Sequence, residues 1–179
     1  MKAWRDLSEV ETPKRIQRLP CDARGYPIPA NVLVTDGVPD FRTIDPDKIV
    51  WAVQYKRCAI CGEPLGSHVA FVGGPRSIKS RWFSDAPMHR DCAVYALQVC
   101  PFLAAPSFGY RKSVPEDATV NLLVSTERPE VFGLGITRGY EPAVHGGHLL
   151  LHAAPFESLS WWKGGHEVPA GQEQPCETS

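Results

Sequence analysis

At 179 residues, 43% of them hydrophobic, the chain is long enough to bury one sizeable core, or a core with a small satellite module. Its formal net charge of -1 excludes a protein that coats DNA through bulk positive charge, while leaving room for a local basic patch. The opening MKAWRDLSEVETPKRIQRLP carries no apolar signal core, and no run of about 18 apolar residues occurs, so the chain reads as cytoplasmic with no membrane segment.

Residues 1–18 are polar and charged and read as an N-terminal arm, mobile or forming a short helix. A module over 19–104 follows. Its apolar run Ala30 to Val34 predicts a strand that reverses at Asp36-Gly37. A helix start comes next, with Asp45 as N-cap, Pro46 in the first helical position and Asp47 in the first turn. Ile49, Ala52 and Val53 fall at helical spacing, so this helix delivers the chain to Cys58. HVAFVGGPRSIKSRWF reads as two short strands around a Gly-Gly-Pro turn. A second helix opens near His89, presents Ala93, Ala96, Leu97 and Cys100, and stops at Pro101. Residues 105–118 read as a proline-broken connector. A small β-rich region over 119–165 contains strands at Val120 to Val124, Val131 to Ile136 and Leu149 to Leu151, and PFESLSWWKGG adds a short helix. The tail, 166–179, has the composition of disorder.

The stretch RCAICGEPLG turns this outline into chemistry. In a reducing cytosol, closely spaced cysteines point to a metal or to catalysis rather than to a disulfide framework. Cys58-x2-Cys61 is followed, after a long spacer, by His89-x2-Cys92, which makes two pairs of ligands. Three thiolates and one imidazole form a common closed set for structural zinc, and Gly62 suits the tight turn that lets two sulfurs converge. His89 and Cys92 stand three residues apart, on one helix face near the positive end of its dipole. A thioredoxin-type pair should open a helix after a strand, whereas this one follows a helix and is succeeded by Gly-Glu-Pro. A nucleobase deaminase needs His-x-Glu, which the chain lacks, and a RING or LIM arrangement needs twice as many ligands. With four protein ligands the ion is structural, its binding coupled to folding by on the order of 10 kcal/mol. Cys100 lies about 12 Å beyond Cys92 along the helix and reads as a small buried apolar residue. Cys21 and Cys176 lie far outside the window.

LPCDARGYPIP, PDFRTIDPDKIV, RCAICGEPLGSHVAFVGGP and HRDCAVYALQVCPFL together resemble a group of short uncharacterised zinc-binding proteins of actinobacteria, proteobacteria and their phages. The likeness covers Leu19 to Leu103. It implies a zinc-binding domain in a phage or prophage setting and no particular catalysis. Where those proteins have Gly-Pro-Met-Cys and Asn-Arg, this chain has Gly74-Pro75-Arg76-Ser77 and Ser80-Arg81, so Arg81 matches and the Asn does not.

The expected fold is α+β, a treble-clef-like zinc module packed with a small, mostly antiparallel β region. Two functions fit it. Arg76, Lys79, Arg81 and Arg90, with Trp82 and Phe83 among them, would form a basic aromatic surface for nucleic acid or a host protein. The plainer alternative is solvated charges with the aromatics packed inward. The second function is a metal-dependent enzyme using His145, His148 and His152. On a strand, His148 and His152 share a face, and His145 joins them only if the Gly146-Gly147 turn reorients it. Otherwise the three are ordinary surface histidines. Recognition is favoured over catalysis. Of the adjacent Trp161 and Trp162, one is expected buried and the other at the surface.

Overall fold

The computed structural model describes residues 5–105 and 128–169. The strand expected at Val120 to Val124, nearly all of the connector and the end of the tail, Cys176 included, lie outside them. Within them the chain is α+β, as expected, and every strand pairing is antiparallel.

The first elements form because local chemistry demands them. Strands β1 (Val32–Thr35) and β2 (Val38–Ile44) pair around Asp36-Gly37. Helix α1 (Pro46–Gln54) starts where expected, with the Asp45 carboxylate accepting from the backbone N–H groups of Asp47 and Lys48. From α1 the chain passes through the Cys58–Cys61 turn into β3 (Val69–Gly73).

The segment after β3 departs from the expected pair of strands. Pro75–Ser80 is a short helix, α2, with Pro75 in its first turn, and only Trp82–Phe83 is a strand, β4. β3 and β4 do not pair with each other: β3 pairs with β5 (Phe132–Thr137) and β4 with β7 (His148–Ala153). The hairpin partner of β3 on its own side is a single bridge, in which Ala70 and Met88 exchange both backbone hydrogen bonds, at 2.8 and 3.0 Å. Helices α3 (Arg90–Val99) and α4 (Pro101–Ala104) follow, the first ending where Pro101 was expected to stop it.

Two further corrections fall in the C-terminal part. Ser158–Lys163 is a strand, β8, rather than a helix; its aromatic pair alternates across a sheet. His166–Val168, expected in the tail, is strand β9, which closes a hairpin with β8. β6 (Tyr140–His145) is an edge strand and therefore tolerates Pro142. The sheets run β3-β5-β8-β9 and β4-β7-β6. Both draw strands from 19–104 and from 119–165, so those two segments interlock in space.

The four-stranded sheet is covered on both faces, which is why β3 and β5 read as apolar runs rather than as alternating ones. Ala70, Val72, Phe132, Leu134 and Trp162 face α3, against Ala93, Leu97 and Val99. Val69 and Phe71 face the other way, towards Ile78 of α2, Phe83, Leu151 and Ala153. On that second face β5 has glycines because neighbours press close: a Cβ at Gly133 would fall 2.5 Å from Ile78, and one at Gly135 2.4 Å from Phe156. Trp161 and Trp162 take opposite faces. Trp162 is buried, its indole N–H donating to Ser160 Oγ at 3.0 Å, and Trp161 is half-buried on the α2 side, so both anchor the core.

From residue 5 the N-terminal arm packs on the fold, with one short 3-10 turn at Leu7–Glu9. Val10 and Ile16 are buried in the α3-side core, Ile16 to 1% exposure, and the Arg5 guanidinium donates to the Gln98 carbonyl at 3.0 Å. Polar sequence hides this because the anchor is a few scattered apolar side chains, Val10 and Ile16 with Leu7 packed beside them. Ile16→Ala is expected to lose about 2–5 kcal/mol of stability, read as a lower urea midpoint. Val144→Ala, at a position 74% exposed on the β6–β7 hairpin, should stay within about 0.5 kcal/mol of the parent.

Candidate metal centre

Each half of the centre is set by backbone hydrogen bonds. In the Cys58–Cys61 turn, the Gly62 N–H donates to the Cys58 carbonyl at 2.9 Å, with Gly62 at φ +73, the left-handed region where glycine is unstrained. The turn is held from behind: Ala30 and Asn31 donate to the carbonyls of Ile60 and Ala59, and Ala59 donates to that of Pro87. The last bond joins the turn to the segment that enters α3. The Ala70–Met88 bridge then places His89, the N-cap of α3, and Cys92, in its first turn, opposite the two sulfurs.

The result is one cluster. The Sγ atoms of Cys58, Cys61 and Cys92 and a ring nitrogen of His89 all lie within 4.8 Å of one another, and among the described residues this is the group that could hold a metal ion. Cys61 Sγ and His89 Nδ1 are 3.4 Å apart, and the His89 backbone N–H donates to Cys58 Sγ at 3.4 Å. His89 Nε2 lies 3.0 Å from the Pro64 carbonyl. A carbonyl only accepts, so Nε2 carries the proton and the Nδ1 lone pair is left facing the sulfurs. Cys58 and Cys92 are buried and Cys61 half-buried.

Three thiols this close share their protons. Hydrogen bonds from Cys61 and Cys92 hold the Cys58 thiol well below its ordinary range, while the bond to Cys58 pushes the Cys92 thiol up. A divalent cation is what lets all three ionise together. Cys100 caps the far end of α3, outside the cluster, and burial pushes its thiol up. Cys21 is exposed and apart.

Around the cluster lies a charged frame that sequence spacing gave no sign of, because its parts are far apart in the chain. Arg15 Nε sits 3.1 Å from Asp91 Oδ2, and its Nη1 3.9 Å from Glu63 Oε2; Arg18 reaches Glu63 Oε1 at 2.8 Å. Burial works against the Arg15 charge, but Asp91, Cys92, Cys61 and Glu63 outweigh it and hold the guanidinium charged.

The other candidate residues separate into groups. Arg76 and Lys79 are exposed on α2, and Arg81 caps that helix with φ +60 and its carbonyl accepting from the Ala153 N–H. Trp82, next in the chain, is 36% exposed and stacks on His152 across the sheet, with ring centroids 4.7 Å apart. Phe83 points inward and stacks on Phe71. Arg90 is elsewhere, opening α3 on the opposite face of the four-stranded sheet from α2. His145 and His148 pair directly across the Gly146-Gly147 turn, so the turn does bring them to one face with His152. The three imidazoles still do not converge. His148 and His152 stand about 13 Å apart along β7 at strand rise, and His152 is engaged by Trp82.

Comparison of the chain with protein-family models, curated proteins and solved structures gives no match. Among the described residues no helix is long and apolar enough to cross a membrane.

In the metal-loaded protein, His89 is expected as the Nε2–H tautomer, checked by long-range proton–nitrogen correlation spectra. An Nδ1–H tautomer would contradict the cluster geometry.

Proposed function

We propose that the chain is a zinc-stabilised recognition protein of treble-clef type, working in the cytoplasm and engaging single-stranded nucleic acid through the α2–β4 surface. The observation that carries the zinc reading is the Cys61 Sγ to His89 Nδ1 distance of 3.4 Å, with the Pro64 carbonyl 3.0 Å from Nε2 on the far side of the ring. Bonds of about 2.3 Å to sulfur and about 2.0 Å to nitrogen, at tetrahedral angles, give an S to N edge of about 3.5 Å. With four protein ligands the ion has no open position, so its chemistry is to hold the Cys58–Cys61 turn against α3. Free thiols at every described cysteine suit a reducing compartment. The treble-clef reading is supported by the order of parts, a cysteine turn, the Ala70–Met88 pairing and then a helix bearing the last ligand, with α2 and β4 as an excursion between the two strands of that pairing.

The recognition reading rests on α2 and β4. Arg76 and Lys79 are exposed three residues apart on one helix face, and Trp82 offers a half-exposed indole backed by His152, a platform on which a base can stack. Arg81 holds a left-handed conformation where glycine or asparagine would be easier, at roughly 1–2 kcal/mol, which favours a use for its guanidinium. Arg90, on the other face, falls outside this surface. The phage or prophage setting is what the resemblance over Leu19 to Leu103 implies. The alternative, a metal-dependent enzyme built on His145, His148 and His152, needs imidazoles that converge, and the hairpin spaces them apart.

Elemental analysis is expected to find one zinc per chain, retained in a His145/His148/His152 to Ala variant and lost in Cys61→Ser with a lower melting temperature. A labelled single-stranded oligonucleotide should bind with salt-dependent affinity, and Trp82→Ala should weaken it by about tenfold, within the range for one stacked base. Binding that ignores both salt and Trp82 would sink the nucleic-acid reading and turn the search to a protein partner.

A further inference from the structure

We infer that Arg15 is a positioning residue of the metal centre, the cation that balances its charge, and that metal occupancy in turn fixes the N-terminal segment on the fold. The inference rests on the zinc reading above. Three thiolates and a neutral imidazole around a divalent ion leave one negative charge, half-buried, in a site already flanked by Glu63 and Asp91. Arg15 is the group placed against all of it. Its guanidinium joins Glu63, two residues past Cys61, to Asp91, one residue before Cys92, and so spans the two halves of the clasp from outside. Arg18 touches Glu63 alone, with its side chain 72% exposed.

Arg15 is also immediately followed by Ile16, whose side chain is buried in the same core as Cys58 and Cys92. The backbone there is a turn rather than a regular helix, with the Ile16 and Gln17 N–H groups both donating to the Pro13 carbonyl. Such a turn has little stability of its own. Ile16 and Leu19 hold it to the core, Arg18 adds an exposed ion pair, and the Arg15 fork ties it to Glu63 and Asp91, which sit beside Cys61 and Cys92. Loading the site therefore strengthens the fork, and the fork strengthens the site, as the reciprocity of linked equilibria requires.

The test is zinc affinity, by competition with a chromogenic chelator, in the full chain. Arg15→Met keeps the apolar stem and removes the charge; it is expected to bind zinc about 10-fold or more weakly, the usual scale for a lost outer-shell partner. Arg15→Lys should recover part of the loss, and Arg18→Met should stay within about twofold, since exposed ion pairs contribute little. In the zinc-saturated Arg15→Met protein, amide exchange at Ile16 and Gln17 should quicken while Leu97 in α3 stays protected. Unchanged affinity in Arg15→Met, with wild type binding one zinc, overturns this inference and leaves the zinc reading intact. A variant that stays unfolded at saturating zinc also overturns it, in favour of a purely structural role. Wild type that binds no zinc overturns both.

Discussion

The structure depends on bringing Cys58 and Cys61 to His89 and Cys92 across a long loop. Loop closure of this length costs entropy, and the ladder alone answers it weakly, since the one bridge that spans the loop among the described residues is Ala70–Met88. Two other contacts share the task. The Ala59 N–H donates to the Pro87 carbonyl, and the His89 ring is turned by the Pro64 carbonyl on the opposite side. Each joins the cysteine turn to the entrance of α3. The three Sγ atoms and the His89 ring nitrogen thus meet inside a frame of backbone hydrogen bonds, a geometry that could hold a metal ion.

That frame also explains how the module joins the rest of the fold. β3 leaves the metal centre and becomes the first strand of the four-stranded sheet, while β4, only two residues long, joins the other. Neither sheet is complete without strands from the C-terminal half. The cores on the two faces of β3 therefore share one strand, alternating residue by residue, and a disturbance at β3 reaches the metal centre through Ala70 and Met88.

What was legible in the sequence is what is local. The Asp45 cap, the Asp-Gly turn, the helix from His89 to Pro101 and the two Cys/His pairs that the fold gathers into one cluster each follow from neighbours a few residues apart. What was not legible is long-range pairing. In sequence Gly74-Pro75 reads as a turn between strands, although proline also suits the first turn of a helix, and Gly74 offers no capping side chain to announce one. The β8 sequence suits a helix as well as a strand because neighbouring tryptophans satisfy either period, and the partner strands β5 and β9 decide between them. Pro142 concealed β6, a strand that proline permits only at an edge. Arg15 was invisible for the same reason, since its partners Glu63 and Asp91 lie far away in the chain.

The position of α2 and β4 follows from this organisation. The chain leaves the Ala70–Met88 pairing at Gly73, turns through α2 and Trp82, and returns to the same pairing just before His89. Its inward residues, Ile78 and Phe83, belong to the core on the face away from the metal centre. Its outward residues, Arg76, Lys79 and Trp82, are exposed and belong to neither buried cluster. Substitutions on this outer face therefore act first on surface charge and on the exposed indole. Backbone bonds at Ala70 and Met88 fix both ends of this excursion, so its outer face varies without loosening the bridge beneath it.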